Sequence, residues 1–462
     1  MFVFLILVSK MLLGFTVSHF LWRERHFWSL ILKIFMAIPL GMGLSSLLFY
    51  AWLWLAFPRS IYPWLEIFLS IILVVIMLWR NGSPLPSEAV ALPKDLPGRL
   101  FLFFALAAVL VGIIFFTAYS LKFPHGLFED AWFIWNMTAR FLYRSPDWTL
   151  MFKTNSQLWH PDYPLLLSLN IVQGWLINAG ETTWVPILVA ALFTFSIPGI
   201  LFAAIMHLKD LKQASLAVFL LLTTPWFVMH GTEQVGDVPI SAYFLSATVC
   251  LILFIRQRDS ALCILSGLMA GLSAWTKNEG LYFWLSSAFV CVLIAVWVEK
   301  KPRAVWAFLS GSLLPLGTVL LFKLFLAPGS DLFQSNSAIL AKLLDPTRYG
   351  MIFTEFGVYI SGFGGWPLGV FWILVLYAVV TGFDVHDRRE LLLIGLLPVF
   401  QLAGYFGIYL ITPHDLNWHL TTSLGRLLMQ IFPLVLFVLM LALKSPEKSL
   451  IGQSMTKSSP DL

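Results

Sequence analysis

The chain has 462 residues, 59% of them hydrophobic and 11% charged, with a mean hydropathy of +0.85. Soluble domains hold about 45–50% apolar and about 25% charged residues, so a soluble globular fold is excluded. The net charge of +5 is no nucleic-acid footprint, because most Lys and Arg sit in short loops between apolar runs, where they set membrane orientation.

Apolar runs occupy residues 2–21, 27–57, 61–79, 99–120, 164–206, 214–230, 238–255, 260–276, 280–298, 303–326, 351–381, 390–411 and 424–443. Many exceed the roughly 18–20 residues that cross a bilayer. They are continuous instead of alternating, which implies helices and not a barrel. The expected fold is all-α, a polytopic transmembrane bundle of about 13 spans. The first run carries Lys10 and no clear small-residue cleavage site, so it reads as a retained span or signal anchor. The run 164–206 is too long for one simple span and is nicked at Asn178–Thr183. Gly362-Phe-Gly-Gly365 interrupts 351–381 and reads as close packing or a kink. A Pro/Gly/Ser-rich linker ends near Gly98. The expected units are N-terminal membrane helices and linker at 1–98, a transmembrane catalytic core at 99–443 and a short cytoplasmic tail at 444–462. Cys250, Cys263 and Cys291 lie in or near apolar runs and lack metal spacing.

Loop charge sets the orientation. The basic loops lie at 23–25, 80–99, 209–212, 256–258, 300–303 and 388–389, followed by the tail. Placing them on the cytoplasmic side makes alternation work from residue 207 onward. The loops at 121–163, 231–237, 277–279, 327–350 and 412–423 then face outward. Parity requires an odd number of crossings within 164–206, so half of that run is re-entrant or interfacial, or one basic loop is misassigned.

The outward loops carry the candidate chemistry. Gly126-Leu-Phe-Glu-Asp-Ala-Trp132 places Glu129 and Asp130 directly after an apolar run, where carboxylates are costly to desolvate. Either could act as a general base, or one could cap the next helix while the other is solvated. Trp132, Trp135, Ala139 and Leu142 or Tyr143 recur at helical spacing and predict an amphipathic surface helix, with Arg140 and Arg144 on another face. His160-Pro-Asp-Tyr-Pro164 enters the next run. There His160 could orient a carboxylate or contact a phosphate, Asp162 could cap, and Tyr163 follows it. Asp237 resembles a cap. Lys277 stands where positive charge is normally sparse, with Glu279 as a natural partner. Arg426 lies inside the last span, where a guanidinium needs a partner or an anionic ligand. His414, Asp415 and His419 are nearby polar candidates, but they match no trusted zinc motif. No Walker loop and no GxSxG elbow is present.

Taken together, the span followed by Phe-Glu-Asp-Ala-Trp132, the His160 entry, the Lys277-Asn-Glu-Gly turn and Arg426-Leu-Leu-Met-Gln-Ile-Phe-Pro433 resemble the GT-C superfamily of integral-membrane glycosyltransferases. The nearest style is the protein O-mannosyltransferase and lipid A aminoarabinose transferase branch, over roughly residues 99–440. The resemblance implies a hexose or pentose carried on a polyprenyl phosphate and transferred to a lipid or glycan acceptor on the non-cytoplasmic side. It implies a role in cell-envelope glycan or glycolipid synthesis and a multi-pass place in a bacterial inner membrane. It assigns Asp130, with Glu129 beside it, to the acceptor. It assigns Lys277 and Arg426 to the lipid phosphate, with His160, Asp162, Tyr163 and Glu279 around them. No cofactor is certain, and a divalent metal is compatible. The order Glu-Asp, where some branches have Asp-Glu, leaves the choice of base open. A transporter or lipid flippase is the alternative. It would be favoured by broken helices in paired positions, which the sequence does not display.

Overall fold

The computed structural model describes residues 2–82, 84–86, 93–153, 160–329, 336–384 and 388–445. Within the expected linker, residues 83 and 87–92 lie outside the described residues, as does the expected tail from residue 446. Among the described residues the chain is helical throughout: α1 (Phe2–Leu21), α2 (Phe27–Trp54), α3 (Tyr62–Asn81), α4 (Leu96–Lys122), α5 (Asn136–Arg144), α6 (Leu150–Lys153), α7 (Leu166–Ile177), α8 (Trp184–Leu208), α9 (Leu211–Thr223), α10 (Pro225–Thr232), α11 (Asp237–Gln257), α12 (Ser260–Thr276), α13 (Glu279–Ile294), α14 (Arg303–Phe325), α15 (Asn336–Leu343), α16 (Pro346–Ser361), α17 (Val370–Thr381), α18 (Arg388–Ile411) and α19 (Leu416–Ala442). The all-α polytopic bundle expected from the apolar runs is therefore the observed architecture.

Ten of these helices are long and apolar enough to cross a membrane, and the bent pair α9–α10 makes eleven. Two further crossings follow from where the ends sit. The 17-residue α12 has Asp259 before it and Lys277 after it, on opposite faces of the bundle. The helices α16 and α17 share one crossing around a break at 362–369: Arg348 near the start of α16 bonds the Tyr409 and Leu410 carbonyls at the end of α18, and the Gly382 carbonyl just past α17 accepts the Lys444 N–H beyond α19. The total is thirteen among the described residues.

The basic loops gather on one face, as expected. Arg256 pairs with Glu390 at 3.0 Å, Lys212 with Asp95 at 3.0 Å, and Gln257 reaches Glu24 at 3.0 Å. The run 164–206 also resolves. Both ends of α7 stay on the face opposite the basic loops: Ser168 bonds the Trp135 carbonyl at 2.9 Å, and Glu181 just past the helix takes Arg144 in a two-pronged pair. Only α8 crosses, so parity is satisfied without moving a basic loop.

Burial sorts the helices. All of α11 from Asp237 to Ile255 is buried, and a helix apolar on every side is stable only when neighbours surround it. By contrast α4 exposes Leu106, Leu110 and Val111, and α14 exposes Leu313, Leu320 and Leu324, as lipid-facing helices do. The helices α12 and α14 approach until a Cβ on Gly267 would lie 2.0 Å from the Phe308 carbonyl oxygen. Such small-residue contact is how helices associate where lipid removes the hydrophobic drive.

Two expectations change. The predicted surface helix begins with a π-helical turn at Ala131–Trp135, in which the Asn136 N–H reaches the Ala131 carbonyl. A wider turn shifts the phase, so Trp132 leaves the buried face of Trp135, Ala139 and Leu142 and stacks under Arg140 instead, 3.9 Å from guanidinium carbon to ring centre. Paired broken helices, not visible in the sequence, are also present. The α9–α10 junction bends by 63° at Thr224–Pro225, and its Trp226 N–H donates to the Gly364 carbonyl in the α16–α17 break at 3.3 Å. Backbone groups freed at membrane depth need such partners. Gly364 and Gly365 take φ values of +98° and +81°, which explains the glycines at this kink.

Candidate active site

The site forms on the face opposite the basic loops, where the loop after α4 meets the starts of α7, α11 and α13 and the upper part of α19. The loop is pinned from below by the short turn between α10 and α11. There the Glu233 carboxylate accepts the backbone N–H groups of Leu127 and Phe128, each at 2.9 Å. Burial holds its carboxyl above the usual carboxylate range, against those two bonds. Gln234, at φ +57°, donates to the Pro124 carbonyl at 3.0 Å and accepts from Asn136 at 2.9 Å. Gly126, at φ +80°, lets the chain pass close to Glu233. The turn thus ties both sides of Glu129-Asp130 to the bundle. Sequence reasoning singled out only Asp237 in that turn. Glu233 and Gln234 bond distant backbone or loop atoms, which no local spacing encodes.

With its loop held, Asp130 forms an ion pair with Nη1 of Arg426 on α19. Gln430, one turn further along the same face, donates to Asp237 at 2.6 Å and lies 3.5 Å from Glu279. Tyr405 on α18 donates to the Gln430 side-chain oxygen, Oε1, at 2.7 Å. Lys277, extended at the end of α12, lies 2.8 Å from Asp237 and 2.9 Å from Glu279. Burial alone would depress the Lys277 ammonium; the two carboxylates outweigh it and hold its pKa above the ordinary value. Asp237 is the first residue of α11, but its side chain makes no cap bond, so the cap expected for it gives way to this ion pair.

Asp162 likewise does not cap. The residue at the α7 N-cap is Leu165, and Asp162 instead accepts from Asn278 at 2.9 Å. Lys323 on α14 closes that bridge through the Asn278 side-chain oxygen at 2.9 Å and the Asp162 carbonyl at 2.5 Å. His160 stacks on Tyr163 with ring centres 4.8 Å apart, its Nδ1 3.9 Å from Asp162. Tyr163 sits between the groups. Burial pushes its hydroxyl up, and Lys277, Glu279, Asp162 and Arg426 all contribute to its field.

The structure thus brings together Asp130, His160, Asp162, Tyr163, Asp237, Lys277, Glu279 and Arg426. Sequence reading did not single out Asn278, in the turn between α12 and α13, or Lys323, Tyr405 and Gln430 within their helices. Four candidates stand outside this cluster. Glu129 is exposed, while its neighbour makes the ion pair. Asp415 caps α19 by accepting the Trp418 N–H at 2.8 Å, and His414 lies beside it. Eleven residues separate Asp415 from Arg426, about 16 Å of helix. His419 bonds Thr412 at 2.9 Å and touches the site through the Tyr409 ring. Among the described residues no three His, Cys, Asp or Glu form a set that could hold a metal.

Exposure divides the cluster into a front and a back. Arg426, Asp130 and Lys323 are 27%, 35% and 32% exposed at the side chain, whereas Lys277 and Asp237 are 9% and 1% exposed. A ligand from outside meets the first three. Lys277 stands behind them, already matched by two acids.

Residues 162–324, running from the bridge at Asp162 through α14, match the family model described as dolichyl-phosphate-mannose-protein mannosyltransferase. That stretch contains Asp162, Asp237, Lys277, Glu279 and Lys323 but not Asp130 or Arg426. No curated protein and no solved structure matches the chain. Over α7 to α14 the chain is therefore similar to a GT-C type family of membrane glycosyltransferases, the same superfamily that its motifs resemble.

Proposed function

We propose that the protein transfers a sugar from a polyprenyl-phosphate donor to an acceptor on the face that carries the Asp130–Arg426 pair, which we read as the non-cytoplasmic side. The observation that carries this reading is that pair. It sets a partly exposed carboxylate, suited to receive an acceptor proton, against a guanidinium suited to a departing phosphate. In the resting state each neutralises the other. A donor phosphate arriving at Arg426 competes with Asp130 and frees the carboxylate to orient and deprotonate the acceptor nucleophile. The nucleophile then attacks the anomeric carbon in one displacement with inversion. The bond to the phosphate oxygen breaks, and the leaving phosphate keeps the electron pair against Arg426.

Lys323 is the second reachable cation on that front. Lys277 acts from behind, holding Asp237 and Glu279 so that Gln430, and with it the α19 face bearing Arg426, keeps its place. Glu233 is a positioning residue for the Asp130 turn. Asp162 and Tyr163 lie between front and back, with the exposed His160 ring stacked on Tyr163. The family match supports a glycosyltransferase with a polyprenyl-phosphate sugar donor; a cell-envelope role and a bacterial inner membrane are our extension of it.

A transporter or flippase is the second reading, favoured by the meeting of the α9–α10 and α16–α17 breaks. Transport sites of that kind place charge or helix ends around a midplane substrate. Here residues 223–226 and 362–369 carry no charged side chain, and the ion pairs lie at the end of the bundle instead. Incubating the purified protein with radiolabelled polyprenyl-phosphate sugars and candidate acceptors separates the readings. Labelled product that disappears in Asp130→Asn supports transfer. No product with any donor, together with donor movement across proteoliposomes, establishes the second.

A further inference from the structure

Two side-chain atoms under the Asp130 turn have no partner, and they belong to residues one helical turn apart. His230, in the last turn of α10, is 6% exposed, and its Nδ1 is sealed from water with no hydrogen-bond partner. Glu233 gives Oε2 to the Leu127 and Phe128 N–H groups, while its Oε1 is equally sealed and unbonded. Residues three apart at a helix end are neighbours on one flank, and these two face the same loop. The carboxylate holds the Phe128 backbone. The His230 ring stacks along the Phe128 ring, with centres 6.4 Å apart and planes 27° apart. Asp130 follows two positions later.

The elements packed around α10 set the charge of this ring. Asp237 of α11 and Arg426 of α19 both act on it. The helix α10 lies against α19 at that level: a Cβ on Gly425 would meet the Trp226 ring at 3.7 Å, and His230 stands one turn beyond Trp226. The loop brings Asp130, paired with Arg426, the exposed Glu129, and His125 against Trp132. From α4 come Tyr119, in the field of Glu233, and the exposed Lys122, turned over Phe123. The titratable groups of α8 and α9, His207 and Lys212, lie at the basic-loop end. Burial and the Arg426 charge both disfavour an imidazolium here, so the resting ring is neutral. An anion that matches Arg426 removes one of those two penalties and leaves Asp237 and Glu233 to favour the charged ring.

We propose that binding of a phosphate anion at Arg426 is coupled to uptake of a proton by His230, and that the charged ring closes on the free Oε1 of Glu233 to tighten the Asp130 turn. An imidazolium carries N–H on both nitrogens, so its Nδ1–H needs an acceptor and Glu233 Oε1 is the unused one beside it. The anion is the donor phosphodiester of the proposed function, and the inference rests on that reading. The proton comes from solution on binding and returns on release. His230 touches no reacting atom and is a positioning residue.

The test is isothermal titration of the full chain in phosphatidylcholine nanodiscs with methyl farnesyl phosphate, a phosphodiester that does not itself titrate near neutral pH. Heats measured in buffers of different ionisation enthalpy give the protons taken up per ligand. The wild type is expected to take up about half a proton or more at pH 7, and its affinity to fall about threefold or more from pH 6 to pH 8, because uptake and affinity are linked. His230→Gln is expected to take up less than about a tenth of a proton and to bind with an affinity that pH does not move. Should His230→Gln fail to fold, Glu233→Gln removes the negative partner and is expected to lower the uptake about twofold or more. Asp130→Asn is expected to keep the uptake. Three results overturn the proposal and leave the transfer reading standing: binding lost in Arg426→Gln but without proton uptake in the wild type, uptake that survives in His230→Gln or in the Glu233→Gln that stands in for it, and uptake that disappears in Asp130→Asn. No Arg426-dependent binding sinks the donor site and the proposal with it. Uptake through His230 in a protein that transfers no sugar keeps the coupling and refutes the function.

Discussion

Two clusters of charge are buried in this bundle, and they differ in how they are closed. The first lies among the N-terminal helices, where Lys10 sits 3.6 Å from Glu66, with side chains 0% and 3% exposed. Its remaining bonds go to Ser45 and Gln173, Ser45 also donates to Glu66 at 2.6 Å, and Ser9 reaches Glu66 at 3.4 Å. The second is the Asp130–Arg426 cluster, whose front residues are about a third exposed. Both hold ions in an apolar surround, where an unpaired charge is costly. In the sealed cluster one buried cation meets one buried anion, with Ser9, Ser45 and Gln173 bonded around them and neither charge within reach of water. In the open cluster four acids, Asp130, Asp162, Asp237 and Glu279, share three cations, Lys277, Lys323 and Arg426, and a ligand can exchange into the front. Sealing makes an ion pair a fastener between α1, α2, α3 and α7; an opening makes it a site.

Breaking one partner of the sealed pair should have the largest effect. Lys10→Met leaves Glu66 buried and uncompensated, at about 3–5 kcal/mol. The double variant Lys10→Met with Glu66→Leu should recover most of that, because a packed apolar pair is near neutral. Thermal melts in detergent decide this, and equal melting points for the single and double variants would refute the fastener reading.

The open cluster should respond oppositely, losing activity and not stability. Asp130→Asn is expected to cut transfer by about 10²–10³, the size of one lost transition-state electrostatic contact, with the melting point nearly unchanged. Near-wild-type transfer would remove Asp130 from the role. Glu129→Gln, at the exposed neighbour, should retain transfer, and a comparable loss there would show that the two acids were assigned in the wrong order.

Next in size is the turn that holds Asp130. Glu233→Ala removes the acceptor of two backbone N–H groups, with an expected loss of about 1–3 kcal/mol for leaving them unmet. Glu233→Gln keeps an oxygen and should restore most transfer. A purely electrostatic role would instead make the two variants equally impaired. The smallest change belongs to Arg144→Gln, whose side chain is largely in water, so neither melting point nor transfer should move measurably.

Much of this was legible in the chain. The thirteen crossings, the two-sided loop charge and the candidacy of Asp130, Lys277 and Arg426 follow from run length, Lys and Arg placement, and charges where apolar surroundings make them costly. The kink at Gly362–Gly365 was also visible, because glycine interrupts an apolar run. The caps expected of Asp237 and Asp162 were not realised, since a carboxylate at a helix start has two uses and only the neighbours choose between them. Asp415, which stands just before α19, does cap. Glu233, Asn278, Lys323 and Gln430 gave no signal, because each acts through a partner more than 40 residues away in sequence.

The sequence by itself determined that this is a helical membrane protein, which of its loops share a face, and which charges need an explanation. Hydrophobic length and loop charge are local quantities, and a bilayer reads them one segment at a time. Only the tertiary structure decided that Asp130 meets Arg426 while Glu129 faces outward, that α7 stays on one face, and that a π turn turns Trp132 under Arg140. Those outcomes depend on hydrogen bonds and ion pairs between distant segments, whose strength is set by burial that no segment possesses alone.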